Sequence, residues 1–185
     1  MTAANEEWVG DVIGFWLEEL GPAKWFAKDE SVDSTIRHRF LLLYEVLSTW
    51  PAEDALASPE RALATVIVLD QFPRNMFRDT PQAFATDELA REVAHGAIAR
   101  GLDKELAPEP RIFLYLPLEH SEDKDDQARS VALISALGDA EFTRYAQAHK
   151  AVIDRFGRFP HRNAVLGRPS TPEEEAFLAE PGSAF

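Results

Sequence analysis

The chain contains no cysteine, which removes disulfides, thiolate metal sites and a cysteine nucleophile, and fits a reducing cytosol. Long hydrophobic runs are missing too. The longest, LATVIVL (63–69) and IFLYLPL (112–118), fall far short of the ~20 apolar residues a membrane span needs. The opening MTAANEEWVGD is acidic and lacks the basic stretch of a secretory signal, so a soluble, cytoplasmic protein with no membrane partner is expected. Positive charge is scarce: 19 Lys and Arg against 32 Asp and Glu give a net charge of −13 at pH 7. A polyanion would be repelled by that field, which argues against a nucleic-acid partner. There is no strand-like alternation, no low-complexity linker and no repeat of the ~34-residue tetratricopeptide period. Nor is there a glycine-rich phosphate loop, a serine nucleophile elbow or a His-Glu-x-x-His zinc motif, so no cofactor and no metal are expected.

What remains is helix-forming material. A chain of 185 residues, 45% hydrophobic with four tryptophans, buries enough surface to fold without staples as a single domain over 1–185, with 180–185 as a loose tail. Val9, Val12, Ile13, Trp16 and Leu20 form one apolar stripe, closed by Gly21-Pro22. Val32, Ile36, Phe40, Leu43 and Leu47 form a second, ended by Trp50-Pro51. Ser58-Pro59-Glu60 starts a third helix, apolar on most of its circumference and therefore central, which Pro73 is expected to terminate. Thr86-Asp87-Glu88 opens a helix that Gly101 ends. Residues 109–138 read as two helices broken or kinked near Pro117. Asp139 caps a helix with Phe142, Tyr145, His149, Val152 and Phe156 on one face, ended by Gly157. Thr171-Pro172-Glu173-Glu174 is a capping box opening a last short helix. The expectation is an all-α fold of roughly eight helices in antiparallel pairs. The tryptophans are expected in the core.

Three segments concentrate polar side chains. In LDQFPRN (69–75), Asp70 is placed at a buried helix end beside the negative pole of the dipole, where a carboxylate requires a cation; Arg74 and Arg78 are near in sequence, and Gln71 and Asn75 can bond loop backbone. A structural salt bridge explains Asp70 as well as a catalytic role does. In GRFPHRN (157–163), Arg158, His161, Arg162 and Asn163, followed by Arg168, stand in a stretch with four arginines and no acid between 155 and 168. Guanidinium forks match carboxylate and phosphate oxygens in pairs, so this segment is a candidate anion site; pairing with the chain's surplus acids is the alternative. In YLPLEHSEDKDDQ, Glu119, His120 and Glu122 offer an acid–base pair or, with His161 or His149, half a metal site, although no spacing matches a known ligand motif. Ser121 capping the next helix accounts for the neighbouring acids without any chemistry. His149, alone on an apolar face, reads as a hydrogen-bonded core histidine.

The segments LDQFPRNMFR, FLYLPLEHSED with Gln127, HKAVIDRFGRFPHRN and LGRPSTPEEEAFL, in this order, resemble the bacterial family called domain of unknown function nine-two-four, over about Val9 to Leu178. The resemblance implies an all-helical, tetratricopeptide-like superhelix without regular repeats, and it implies no activity. Its polar motif positions coincide with the residues already named, and add Gln127.

Two readings follow. In one, Arg74, Asn75, Gln71, Arg78, Arg158, Arg162, Asn163, Glu122 and Arg168 bind a small anionic or carboxylate-bearing ligand. His120, His161, Glu119 and Asp70 are then the catalytic candidates for hydrolase- or isomerase-like acid–base chemistry, and the two Phe-Pro segments converge. In the other, the polar motifs are internal struts of a helical scaffold that binds a peptide or protein. A homodimer is compatible with the sequence and required by nothing in it.

Overall fold

The computed structural model describes residues 6–183; the first five residues of the acidic opening segment lie outside them. Among the described residues the chain is all-helical, with no strand. Nine α-helices follow one another: α1 (Glu7–Ile13), α2 (Glu30–Leu47), α3 (Pro59–Val66), α4 (Phe72–Met76), α5 (Asp87–Arg100), α6 (Pro108–Glu119), α7 (Lys124–Ser135), α8 (Ala140–Phe156) and α9 (Pro172–Leu178). Two π-helical stretches, Gly14–Leu20 and Ile67–Gln71, continue α1 and α3. The chain divides into two compact units. The first holds the residues up to Arg78 together with Gln82–Pro117; the second holds Asp79–Pro81 and the residues from Leu118 onward.

In the first unit the starts and stops follow local chemistry. Asp29 Oδ1 accepts the Ser31 amide at 2.9 Å and the Val32 amide at 3.3 Å, which opens α2. Ser58 Oγ accepts the Arg61 amide at 3.1 Å and opens α3. Residues Ala62 to Leu69 are buried without exception, so this segment is the central one that its all-round apolarity predicts. Around it lie Phe15, Trp16, Phe40, Phe72 and Phe113, with Phe40 and Phe72 centroids 4.8 Å apart and Trp25 edge-on to Phe113 at 4.9 Å. Burying one such ring contributes roughly 1.5–3 kcal/mol. Trp16 and Trp25 are core residues, but Trp8 and Trp50 are half-buried and meet edge to face at 6.0 Å.

Pro73, expected to end a helix, is instead accommodated. Helical structure does not stop at Pro73: it passes through the π-helical turn Ile67–Gln71 into α4 and ends after Met76. Proline has no N–H for the carbonyl four residues back, which is that of Leu69. The Thr86 hydroxyl donates to Leu69 O at 2.6 Å and replaces the missing bond. Thr86 therefore does not cap α5 with its side chain, although α5 starts just after it. Asp70, in consequence, lies inside a helical segment and not at its C-terminal end. Pro117 likewise sits within α6, which runs on to Glu119. The end of α6 is set by Gln127, whose Nε2 donates to the carbonyls of Glu119 (2.5 Å) and Ser121 (2.7 Å). The cap of α7 is Asp123, accepting from the Asp125 and Asp126 amides, while Ser121 Oγ accepts the Asp123 amide.

In the second unit, α7 and α8 form a hairpin through the short connection at Gly138. Asp139 Oδ1 caps α8 by accepting the Glu141 (2.8 Å) and Phe142 (3.0 Å) amides. Gly157, at φ 70°, ends it in the left-handed conformation that a glycine adopts without strain. The face of α8 turned inward carries Ala146, His149, Val152 and Ile153, while Tyr145 is 42% exposed with Arg144 stacked on its ring. Val152, Ile153 and Phe159 form a small core with Phe156 and Phe177 against it. Both halves of the Thr171/Glu174 capping box are present. In the expected tail, Ser183 is buried and donates to Leu178 O at 3.1 Å; residues 184–185 lie outside the described residues.

Candidate functional site

The polar residues of the second unit gather around Phe159. Glu119 closes α6 and is 4% exposed; His149 stands on the buried face of α8 and is 6% exposed. His149 Nδ1 lies 3.1 Å from Glu119 Oε1 and 2.9 Å from the Tyr145 carbonyl. Both neighbours are acceptors, so Nδ1 carries the ring proton and Nε2 is the basic nitrogen of the neutral imidazole. The His120 ring centroid is 6.1 Å from that of His149, and the Phe159 ring meets His149 edge-on at 5.6 Å. His161 stands 5.6 Å from Phe159, and the Arg162 guanidinium lies over the same ring at 4.6 Å. Burial, then the positive charge that His120, Arg162 and His161 can carry, push His149 from 6.5 down to about 3, against the bond to Tyr145 O. At neutral pH the ring is therefore uncharged, and its contact with Glu119 is a hydrogen bond, not an ion pair.

Two further arginines fix the loop that carries His161 and Arg162. Arg168 holds Glu122 with two bonds (2.8 and 3.0 Å) and also donates to Asn163 Oδ1 and Phe159 O. Glu122 Oε1 in turn accepts the Phe159 amide at 2.8 Å. Burial pushes the Glu122 carboxyl up, but the Arg168 bonds and the Phe159 amide outweigh it and hold it below the usual range. Arg158 grips Glu174 through Nε (2.6 Å) and Nη2 (2.8 Å) and reaches Pro169 O. Glu174 is the capping-box residue of α9; the Arg158 bond first, then the Thr171 amide, lower its carboxyl to about 2. Asn163 is fully buried and donates to Ser170 Oγ.

The sequence-predicted residues of the first unit form their own network. Asp70 is fully buried, accepts from Gln71 Nε2 at 2.6 Å and stands 3.2 Å from Arg74 Nη1. Arg74 also donates to the Asp70 carbonyl and makes a two-point contact with Asp87 (2.9 and 3.0 Å). Burial works against the Arg74 charge, yet Asp70 and Asp87 raise its pKa above the ordinary value. Asn75 and Arg78 both donate to Asp33, Arg78 through two nitrogens. One Phe-Pro segment thus belongs to each unit, and within its unit each is tied to carboxylates of this chain.

Residues 12–182 match the family described as bacterial protein of unknown function, DUF924. The chain belongs to this family. A solved structure of a protein of unknown function from Agrobacterium tumefaciens is similar to it, with 40% sequence identity and a TM-score of 0.88, covering 92% of this chain and 96% of that one. No curated protein matches the DUF924 chain significantly.

Glu119, His120, His161 and Arg162, the site candidates of the sequence, lie in the second unit of this DUF924 chain around His149, whose helical position reads as core. His149 is buried as its helical position predicts, but it faces a carboxylate from another helix, which no local pattern encodes. Glu174 and Asp87 read from the sequence only as helix-start residues, and no local pattern pairs Glu174 with Arg158, Asp87 with Arg74 or Asp33 with Arg78. Among the described residues no group of three His, Asp or Glu side chains is arranged to hold a metal ion, and no helix is long and apolar enough to cross a membrane.

Proposed function

We propose that the second unit carries an acid–base site for a small anionic or carboxylate-bearing molecule, of hydrolase or isomerase type. The buried Glu119–His149 pair is the observation that carries this reading. Glu119 fixes the imidazole tautomer, and Nε2, unprotonated at neutral pH, acts as the base once a bound anion raises its proton affinity toward the working pH. His120, His161 and Arg162 supply donors and positive charge for the ligand, while Arg158, Arg168, Glu122 and Asn163 hold the loop in place. An anion beside His149 offsets the positive neighbours that depress its pKa, so ligand and proton favour each other's binding.

The test is a thermal-shift screen with inorganic phosphate, sugar phosphates and dicarboxylates on the wild type, His149→Gln and Arg158→Gln. A ligand at 100 times its dissociation constant adds about 2.7 kcal/mol of stability. The expected result is a shift that His149→Gln abolishes and Arg158→Gln retains. No shift from any compound refutes the reading.

One observation favours a second reading, a peptide- or protein-binding helical scaffold of tetratricopeptide-like type. Arg74, Arg78, Arg158 and Arg168 each already grip a carboxylate of this chain at two points, as internal struts would. On that reading no small anion stabilises the protein and His149→Gln leaves partner binding intact.

A further inference from the structure

A separate feature of the first unit is a surface hollow of about 290 Å³, lined by Glu30, Asp33, Ser34 and Arg37 of α2 and by Asn75 and Arg78. Its floor is rigid. Asp33 accepts from Asn75 Nδ2 at 2.8 Å, Arg78 Nη2 at 2.8 Å and Arg78 Nε at 2.5 Å, so the Asp33 and Arg78 charges neutralise each other. The rim differs in kind. Glu30, Ser34 and Arg37 project from one side of α2 at helical spacing, and among the described residues neither Glu30 nor Arg37 makes an ion pair. Seven residues of helix separate them by roughly 10 Å along the axis, too far for mutual pairing from ordinary rotamers and close enough for one small molecule to bridge.

The charges decide the ligand class. A plain anion meets Glu30, and a plain cation meets Arg37, while the four ionised groups of the hollow sum to zero within a chain of net charge −13. The complement is a molecule neutral as a whole but charge-separated. We infer that this hollow binds a small zwitterion, a free amino acid, with its ammonium on Glu30, its carboxylate in the fork of Arg37 and the Ser34 hydroxyl between them. Exposed ion pairs are weak individually, so the dissociation constant is on the order of 1 mM. The site is independent of the Glu119–His149 reading.

The experiment is a titration of the isotope-labelled protein, followed by amide chemical shifts, with glycine, L-alanine and γ-aminobutyrate. N-acetylglycine, which lacks the ammonium, and glycinamide, which lacks the carboxylate, are the controls. Saturable shifts confined to the amides around 30–37 and 75–78 are expected for at least one amino acid and for neither control. Glu30→Gln and Arg37→Gln, both on exposed helix surface, should each weaken binding by about tenfold without altering the spectrum elsewhere, the loss expected when one charge-assisted contact is removed. The proposal is overturned by no saturable shift at tens of millimolar, by equal binding of either control, or by binding that survives both substitutions. Saturation by N-acetylglycine alone would make it a simple anion site.

Discussion

Protonating His149 should destabilise the second unit as the pH falls below about 6.5. In the unfolded chain its pKa returns to about 6.5; in the folded chain it is pushed down to about 3. Between those values the unfolded state binds a proton that the folded state refuses, so stability falls as pH is lowered. At 1.36 kcal/mol per pH unit, the loss between about pH 7.5 and about pH 5.0 is about 2 kcal/mol, most of it below pH 6.5. Glu122 and Glu174 have folded pKa values held below 4.5, so their contributions are lost at more acid pH and do not blur the window. The readout matters, because all four tryptophans lie in the first unit and their fluorescence is a poor reporter here. Amide hydrogen exchange in α8, measured across this range for the wild type and His149→Gln, reads the right element. Glutamine keeps an N–H donor toward Glu119 but has no proton to gain. The wild type should lose about 2 kcal/mol of protection that the variant keeps. Equal losses in both would refute the assignment of a buried, neutral His149.

Other substitutions probe individual contacts. Thr86→Val preserves shape but leaves Leu69 O without its replacement donor at Pro73, and should lower the denaturation midpoint by the equivalent of about 1–3 kcal/mol; a neutral result would mean that the π-helical turn needs no such donor. Tyr115 OH donates to the buried Asp103 Oδ2 at 2.7 Å, so Tyr115→Phe should destabilise by about 1–3 kcal/mol in chemical denaturation, and less if the carboxylate finds another donor. Thr171→Ala removes one half of the capping box and should cost about 1 kcal/mol in local stability of α9 by hydrogen exchange. Glu174→Ala should cost more, because Arg158 loses its carboxylate in the same step.

The parts of this fold that were legible in the sequence are those governed by a few adjacent residues. Ser58 and Asp139 cap because their side chains reach amides two or three residues on, and Gly101 and Gly157 end helices because φ must turn positive there. The prolines misled for the complementary reason. Whether Pro73 stops a helix depends on a hydroxyl from Thr86, and the place where α6 ends depends on the amide of Gln127; neither is visible from the proline. The candidate site behaves in the same way. That the Phe-Pro segments hold polar side chains was plain, but which carboxylate each guanidinium meets is a tertiary fact. The surplus of acids made internal partners expected in number, and only the packing chose Glu174 for Arg158 and Glu122 for Arg168.

Glu174 ties two neighbourhoods to a single carboxylate. One oxygen closes the first turn of α9 on the Thr171 amide, and both oxygens hold Arg158. Any outside anion that recruits Arg158 must therefore compete with an intramolecular rival already in position, and winning would loosen the start of α9 as well. Such an encounter would be felt in that helix before any chemistry began, as a fraying of its first turn.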